Sequence, residues 1–149
     1  MTKLKFMILA SILLLGCTAH GQSITVYKSP HKLKTTLTRV LASIDSNDYK
    51  LMSNRDFKAN PKEKGEYKGV VYLIEFEIPE IYELAACEPT AMLDMPLKVI
   101  LWEEEGDPYI GYMRTHELKK RFLATHCEDI LRTLNKAMIR VVNDAIRVR

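Results

Sequence analysis

Several sets of side chains in this 149-residue chain have the types that chemistry requires. Glu103, Glu104, Glu105 and Asp107 follow the single tryptophan, Trp102. Their hard oxygens are what calcium prefers, but the spacing is not that of an EF-hand loop. Successive strand residues point to opposite faces, so these carboxylates are expected to splay apart at a solvated hairpin tip. Met92, Met95 and Cys87 offer the soft sulfur that suits copper(I). With no further methionine or histidine motif nearby, methionines filling gaps beside a bend are the stronger reading. His31, His116 and His126 are scattered. A zinc site needs three or four converging ligands, and a helix would aim the neighbours His126 and Cys127 about 100° apart, so no metal centre is expected there.

Glu75, Glu77 and Tyr112 are groups able to exchange protons, and they make an enzyme only if the fold assembles them in three dimensions. The chain has no GxSxG elbow, no HExxH and no phosphate-cradling glycine loop. With no convergent acid, base or nucleophile set legible, the sequence favours a non-catalytic, exported binding or envelope-associated module that needs no cofactor. An enzyme built around Glu75, Glu77 and Tyr112 is the alternative. A pocket holding two of those residues would decide for it.

The export reading comes from the first residues. Lys3 and Lys5 precede an apolar run from Phe6 to Leu15 interrupted only by Ser11, the order of a secretory signal. The run is too short to span a bilayer comfortably. Two processing sites compete. "LLGC" ending at Cys17 resembles a lipobox, which would remove residues 1–16 and attach the chain to a membrane through a lipid on that cysteine. "AHG" before Gln22 resembles a signal-peptidase site, which would remove residues 1–21 and leave a soluble periplasmic or secreted chain. Either leaves a single domain over residues 22–149.

Losing Lys3 and Lys5 from 22 basic residues leaves 20 against 19 acidic ones, so the formal charge falls from +3 to +1. That balance argues against a nucleic-acid partner, which selects a distinctly basic face. Processing also disposes of Cys17 and leaves Cys87 and Cys127, an even pair in an oxidising compartment. A disulfide, two buried thiols and a reactive pair all remain open, since free cysteine is often just a small core residue.

Those residues need elements to position them. Ile24 and Val26 alternate with polar neighbours as in a half-buried strand. Leu33, Leu37, Val40, Leu41 and Ile44 then recur at helical spacing, with Ser29 placed to cap and Pro30 at the first turn. "YKLMSNRDF" reads as an edge strand and "NPKEKGEYKG" as a polar loop. Val70, Tyr72, Ile74, Phe76 and Ile78 form the dry face of a long strand that Pro79 stops, and a short helix is predicted over Glu80–Cys87. Leu97, Val99 and Leu101 alternate with Lys98, Ile100 and Trp102 before the acidic turn and a return strand. Sharing the face of Ile100, Trp102 is expected to be structural, covered by a helix or a partner chain.

The segment "MLDMPLKVILWEEEGDPYIGYM" resembles the most recognisable stretch of the bacterial domain-of-unknown-function 302 family. "SPHKLKTTLTRVL" is similar to that family's first helix, and "VYLIEFEIPEIYELAACEPTAMLDMP" to its strand, bend and short helix. The resemblance runs over residues 24–115. It implies an α+β fold of two layers, a mostly antiparallel sheet with helices against it, and self-association, but no settled activity. Where many members carry Asn-Pro, this chain has Ile78 and Pro79.

Beyond the resemblance, residues 116–149 contain no Gly or Pro and predict a short helix, a break near Thr125 or His126, and a long C-terminal helix. Ile130, Leu134, Ala137, Met138, Val141 and Ala145 form one apolar stripe, while Leu131, Val142 and Val148 look surplus to a sheet face. A homodimer using this helix is therefore expected. Arg132, Lys136 and Arg140, extended by Arg147 and Arg149, form a basic stripe that could meet anionic headgroups. A solvated face, partly neutralised by Glu128 and Asp144, is the favoured reading.

Overall fold

The computed structural model describes residues 23–58 and 69–148. The leader, Cys17, residues 60–68 of the polar loop and Arg149 lie outside them. Among the described residues, five strands and four α-helices follow in chain order: β1 (Ile24–Lys28), α1 (Leu33–Ser46), β2 (Lys50–Lys58), β3 (Val70–Glu77), α2 (Glu80–Cys87), a 3-10 segment (Pro89–Asp94), β4 (Leu97–Glu104), β5 (Asp107–Met113), α3 (His116–Arg121), a 3-10 turn (Thr125–Cys127) and α4 (Glu128–Ile146). The strands form one sheet in the order β1-β5-β4-β3-β2 with every neighbouring pair antiparallel. The fold is α+β, in two layers.

The two-residue period of β3 and β4 sets those layers. Ile74 lies opposite Val99, Phe76 opposite Leu97, and Tyr112 and Ile110 opposite Val99 and Leu101. All seven are buried on the face that meets the helices. The turn of the β4–β5 hairpin is Glu105–Gly106, both at positive φ (53° and 86°), the two-residue geometry whose twist matches the flanking strands. Among the described residues, no helix packs on the opposite sheet face.

Helices α1 and α4 lie side by side over the buried face. Their contact includes a polar lock: the Arg39 guanidinium donates to the carbonyls of Ala145, Asp144 and Arg147 at 2.8, 2.8 and 2.7 Å. Asp144 and Ala145 lie in the last turn of α4, where carbonyls run out of intrahelical partners, and a cation there also suits the negative helix end. Helix α1 ends in a Schellman motif. Asp48 has φ 56°, Tyr49 N–H donates to Ile44 O at 3.0 Å and Asp48 N–H to Asp45 O at 3.0 Å. Tyr49 then stacks on Phe76 with centroids 5.8 Å apart.

Three expectations need correction. Ser29 does not cap α1, which starts at Leu33 after Lys32; its hydroxyl instead accepts from His31 N–H at 3.2 Å and pairs with Thr36 Oγ1 at 2.7 Å in a buried site. Leu131 and Val142 are not surplus: they are 4% and 0% exposed inside the chain's own core. Helix α4 touches α1, α2, α3 and β4, so its apolar arc is wide because it has several neighbours within the chain. The acids of α4 also pair differently, Glu128 with Lys119 at 3.1 Å and Asp144 with the Ser43 hydroxyl at 2.7 Å, while Arg132 bonds Asp129.

One-sided burial makes a quantitative contrast between two phenylalanines. Phe76 is 0% exposed and Phe57, on the helix-free face of edge strand β2, is 50% exposed. We expect Phe76→Ala to cost about 3–5 kcal/mol in urea denaturation and Phe57→Ala less than about 1 kcal/mol. Equal losses would contradict the layering.

Candidate functional site: an apolar cavity at the end of the sheet

Where β4 begins and β5 ends, a cavity of about 350 Å³ runs from the helix-free face towards the helix layer. Ile24, Leu73, Ile100 and Met113 line it from the strands, Met95 and Pro96 from the approach to β4, and Leu118 and Met138 from the helices. Its walls are built by local rules. Leu73 lies opposite Ile100 and Ile24 opposite Met113, which puts all four on the face that the helices leave open. Pro96, preceded by a cis peptide bond, follows the 3-10 segment that delivers Leu93 and Asp94 to the rim.

Gly111 completes the wall for a steric reason. A Cβ there would lie 3.2 Å from the Trp102 ring and 3.3 Å from the Ile100 side chain. The indole lies across this glycine and stacks on Tyr109 with centroids 5.5 Å apart. Trp102 is half-buried, and among the described residues no helix covers it, because strand parity turns it away from the helix layer.

The polar groups sit at the mouth. Lys98 Nζ donates to the carbonyls of Asp94 at 2.9 Å and Pro96 at 2.8 Å, which holds the ammonium at the rim and leaves one of its three donors. The Asp94 carboxylate is engaged by Arg121 at 2.5 Å. Arg114 lines the same opening. With Asp94 paired to Arg121, the Lys98 ammonium is the positive group that the mouth presents.

The residues read as a catalytic set are not brought together. Tyr112 is buried on the helix side, whereas Glu75 and Glu77 belong to the opposite face. Glu75 is opposite Lys98 in register, but its carboxylate accepts from Ser53 at 2.5 Å and Arg55 at 3.1 Å on β2. Glu77 pairs with Lys50 at 3.7 Å. Of the three, Tyr112 alone lines the cavity. Burial pushes its hydroxyl above the usual value of 10.0 and Tyr27 adds to the rise, while a hydrogen bond with Thr25 and the charge of Arg114 oppose it.

Among the described residues, the acids of the hairpin tip gather no metal-binding cluster; Asp107 pairs with Lys28 at 2.6 Å. Met92 and Met95 pack against the core. His31 Nε2 donates to Arg147 O at 3.1 Å, and His116 pairs with Glu117 at 2.8 Å. Cys87 and Cys127 are joined in a disulfide with Cα atoms 6.0 Å apart. His126 stands beside them, its Nε2 at 2.9 Å from Cys87 O. The cavity itself had no sequence signal, since its walls come from separate elements that only the tertiary fold unites.

A five-stranded antiparallel sheet with helices on one face and a cavity at its end defines a two-layer α+β domain. The chain belongs to the family described as "Domain of unknown function DUF302", whose profile matches residues 25–141. That match runs into α4. Among solved structures, the chain is similar to an uncharacterised conserved DUF302 protein from Bacillus stearothermophilus, at 14% identity and a TM-score of 0.72, over 85% of this chain and 100% of that one. At that identity the likeness speaks for the fold. No curated protein matches the chain.

Tyr112 binds its proton more tightly in the folded chain than in the unfolded one. The folded chain holds this proton to higher pH than the unfolded chain does, so stability falls as pH rises through about 10 towards the folded value. We expect Tyr112→Phe to flatten that fall in denaturation curves taken on either side of pH ~10. Parallel curves for the two proteins would contradict it.

Proposed function

We propose that this chain is a non-catalytic binding module whose cavity takes a small amphiphile, with its tail among Ile24, Leu73, Ile100 and Met113 and an anionic head at Lys98. The observation that carries this reading is the cavity itself, apolar along its walls and cationic at its mouth. Its volume of about 350 Å³ is near the lower end of ligand sites, which favours a short chain or a single ring. A charged head gains from the spare donor on Lys98 through a charge-assisted hydrogen bond. The separation of Glu75 and Glu77 from Tyr112 weighs against the alternative enzyme.

Trp102, packed over a cavity-lining glycine, is the natural reporter. We expect octanoate to change its fluorescence saturably, with Kd on the order of 0.1–1 mM for a ligand this small. Octanol should bind about five- to thirtyfold more weakly, and Lys98→Gln should remove most of that difference. A linear, non-saturating response to both ligands would count against the cavity as a site.

The same proposal takes the chain as exported, cleaved before Gln22 or lipidated at Cys17, and gives it a second copy as partner. The surface available to that copy is the helix-free face, where Ile24, Val26 and Phe57 are exposed, and not α4, whose stripe is occupied within the chain. Intact mass of protein recovered from its host, followed by sedimentation, tests both parts. A product beginning at Met1 contradicts export. A monomer for the wild type contradicts the dimer, and Val26→Asp should convert a dimer to a folded monomer.

A further inference from the structure

The cavity makes no use of the one cluster of metal-ligating side chains among the described residues. Cys87 closes α2, and His126 and Cys127 belong to the 3-10 turn that leads into α4. The two sulfurs and one imidazole nitrogen all lie within 4.8 Å of one another. In the oxidised chain the sulfurs are bonded to each other and neither is free to ligate. His126 is nonetheless held as a metal ligand would be. A carbonyl oxygen only accepts, so Nε2 donates to Cys87 O at 2.9 Å, and the neutral ring keeps its Nδ1 lone pair. Metal-ligating histidines are oriented in this manner, by the N–H they do not use for the metal.

We propose that the Cys87–Cys127 disulfide is the closed form of a Cys2His site, opened by a dithiol reductant and then filled by Zn2+. The chemistry balances through two thiol exchanges. A thiolate of the reductant attacks the sulfur of Cys87, the half-buried one of the pair, and the S–S bond breaks with its electrons going to Cys127. The reductant's second thiol then attacks its own sulfur in the mixed disulfide and releases Cys87. Two electrons and two protons have passed to the protein, and the reductant leaves as a disulfide. Zn2+ displaces those two protons, taking two thiolates, neutral His126 and a water as a fourth ligand.

Three features favour that outcome. Cys127 is the N-cap of the 19-residue α4, a position that stabilises a thiolate as leaving group and as ligand. At Zn–S distances of about 2.3 Å in tetrahedral geometry the sulfurs sit about 3.8 Å apart, an opening that side-chain rotation supplies between Cα atoms 6.0 Å apart. A two-thiolate, one-imidazole set matches zinc's borderline softness.

The test uses the full chain, reduced with dithiothreitol and desalted without oxygen, and titrated with Zn2+ against a chromogenic chelator. The proposal requires one equivalent bound per reduced chain and none per oxidised chain. It requires His126→Ala, which leaves the bridge intact when oxidised, to weaken uptake at least tenfold, while His116→Ala leaves it unchanged. Cobalt(II) in place of zinc should show sulfur-to-metal charge-transfer absorption that Cys127→Ser abolishes. No uptake by the reduced chain overturns the proposal, as do uptake indifferent to His126 and binding of copper(I) but not zinc. A reduced chain that unfolds and is refolded by zinc supports it; one that zinc does not refold overturns it.

Discussion

The structure depends on burying one face of a five-stranded sheet beneath α1 and α4 while the other face is left to its own side chains. Ile74, Phe76, Val99, Leu101 and Ile110 are each fully covered by that arrangement. Losing water from these groups supplies the main favourable term in folding, and it is satisfied only if every strand keeps its register, since a slip of one residue would exchange the two faces. The lock of Arg39 onto the end of α4 and the Schellman turn that feeds Tyr49 onto Phe76 hold the helices at the depth this burial needs.

The same asymmetry creates the cavity. A sheet covered on both faces would have no opening at its end, but here Ile24, Leu73, Ile100 and Met113 lie on the uncovered side, and the chain closes over them only as far as Pro96. Gly111 and Trp102 fill the adjoining surface as a pair, the glycine making room for the ring. Fold and site are thus one consequence of strand parity. The polar mouth follows from the end of the 3-10 segment and the residues after it: Asp94 and Pro96 turn their carbonyls to Lys98, and Asp94 its carboxylate to Arg121.

What could be read beforehand was local. The alternation in β3 and β4, the bounds of α2 at Glu80 and Cys87, and the break near Thr125 are each written within a dozen neighbouring residues, so periodicity and breakers reveal them. The family resemblance was legible for the same reason, from one hairpin and its approach. The sidedness of Trp102 was not, because parity assigns a residue to a face but not which face the helices choose. Leu131 and Val142 looked surplus because the sequence does not show that α4 touches three other helices. The partnership of Cys87 with Cys127 and His126 spans 40 residues, and the cavity draws on strands, a bend and helices far apart in the chain; neither has a local signature.

The proposed binding role rests on the cavity that opens on the uncovered face. The most direct measurement is backbone and methyl NMR of the isotope-labelled chain during titration with octanoate. Chemical shifts should move first and most at Ile24, Leu73, Ile100, Gly111 and Met113, with Val40, Phe76 and Val141 in the sealed core little changed. Shifts spread evenly over the surface, or confined to the edge of β2, would contradict it.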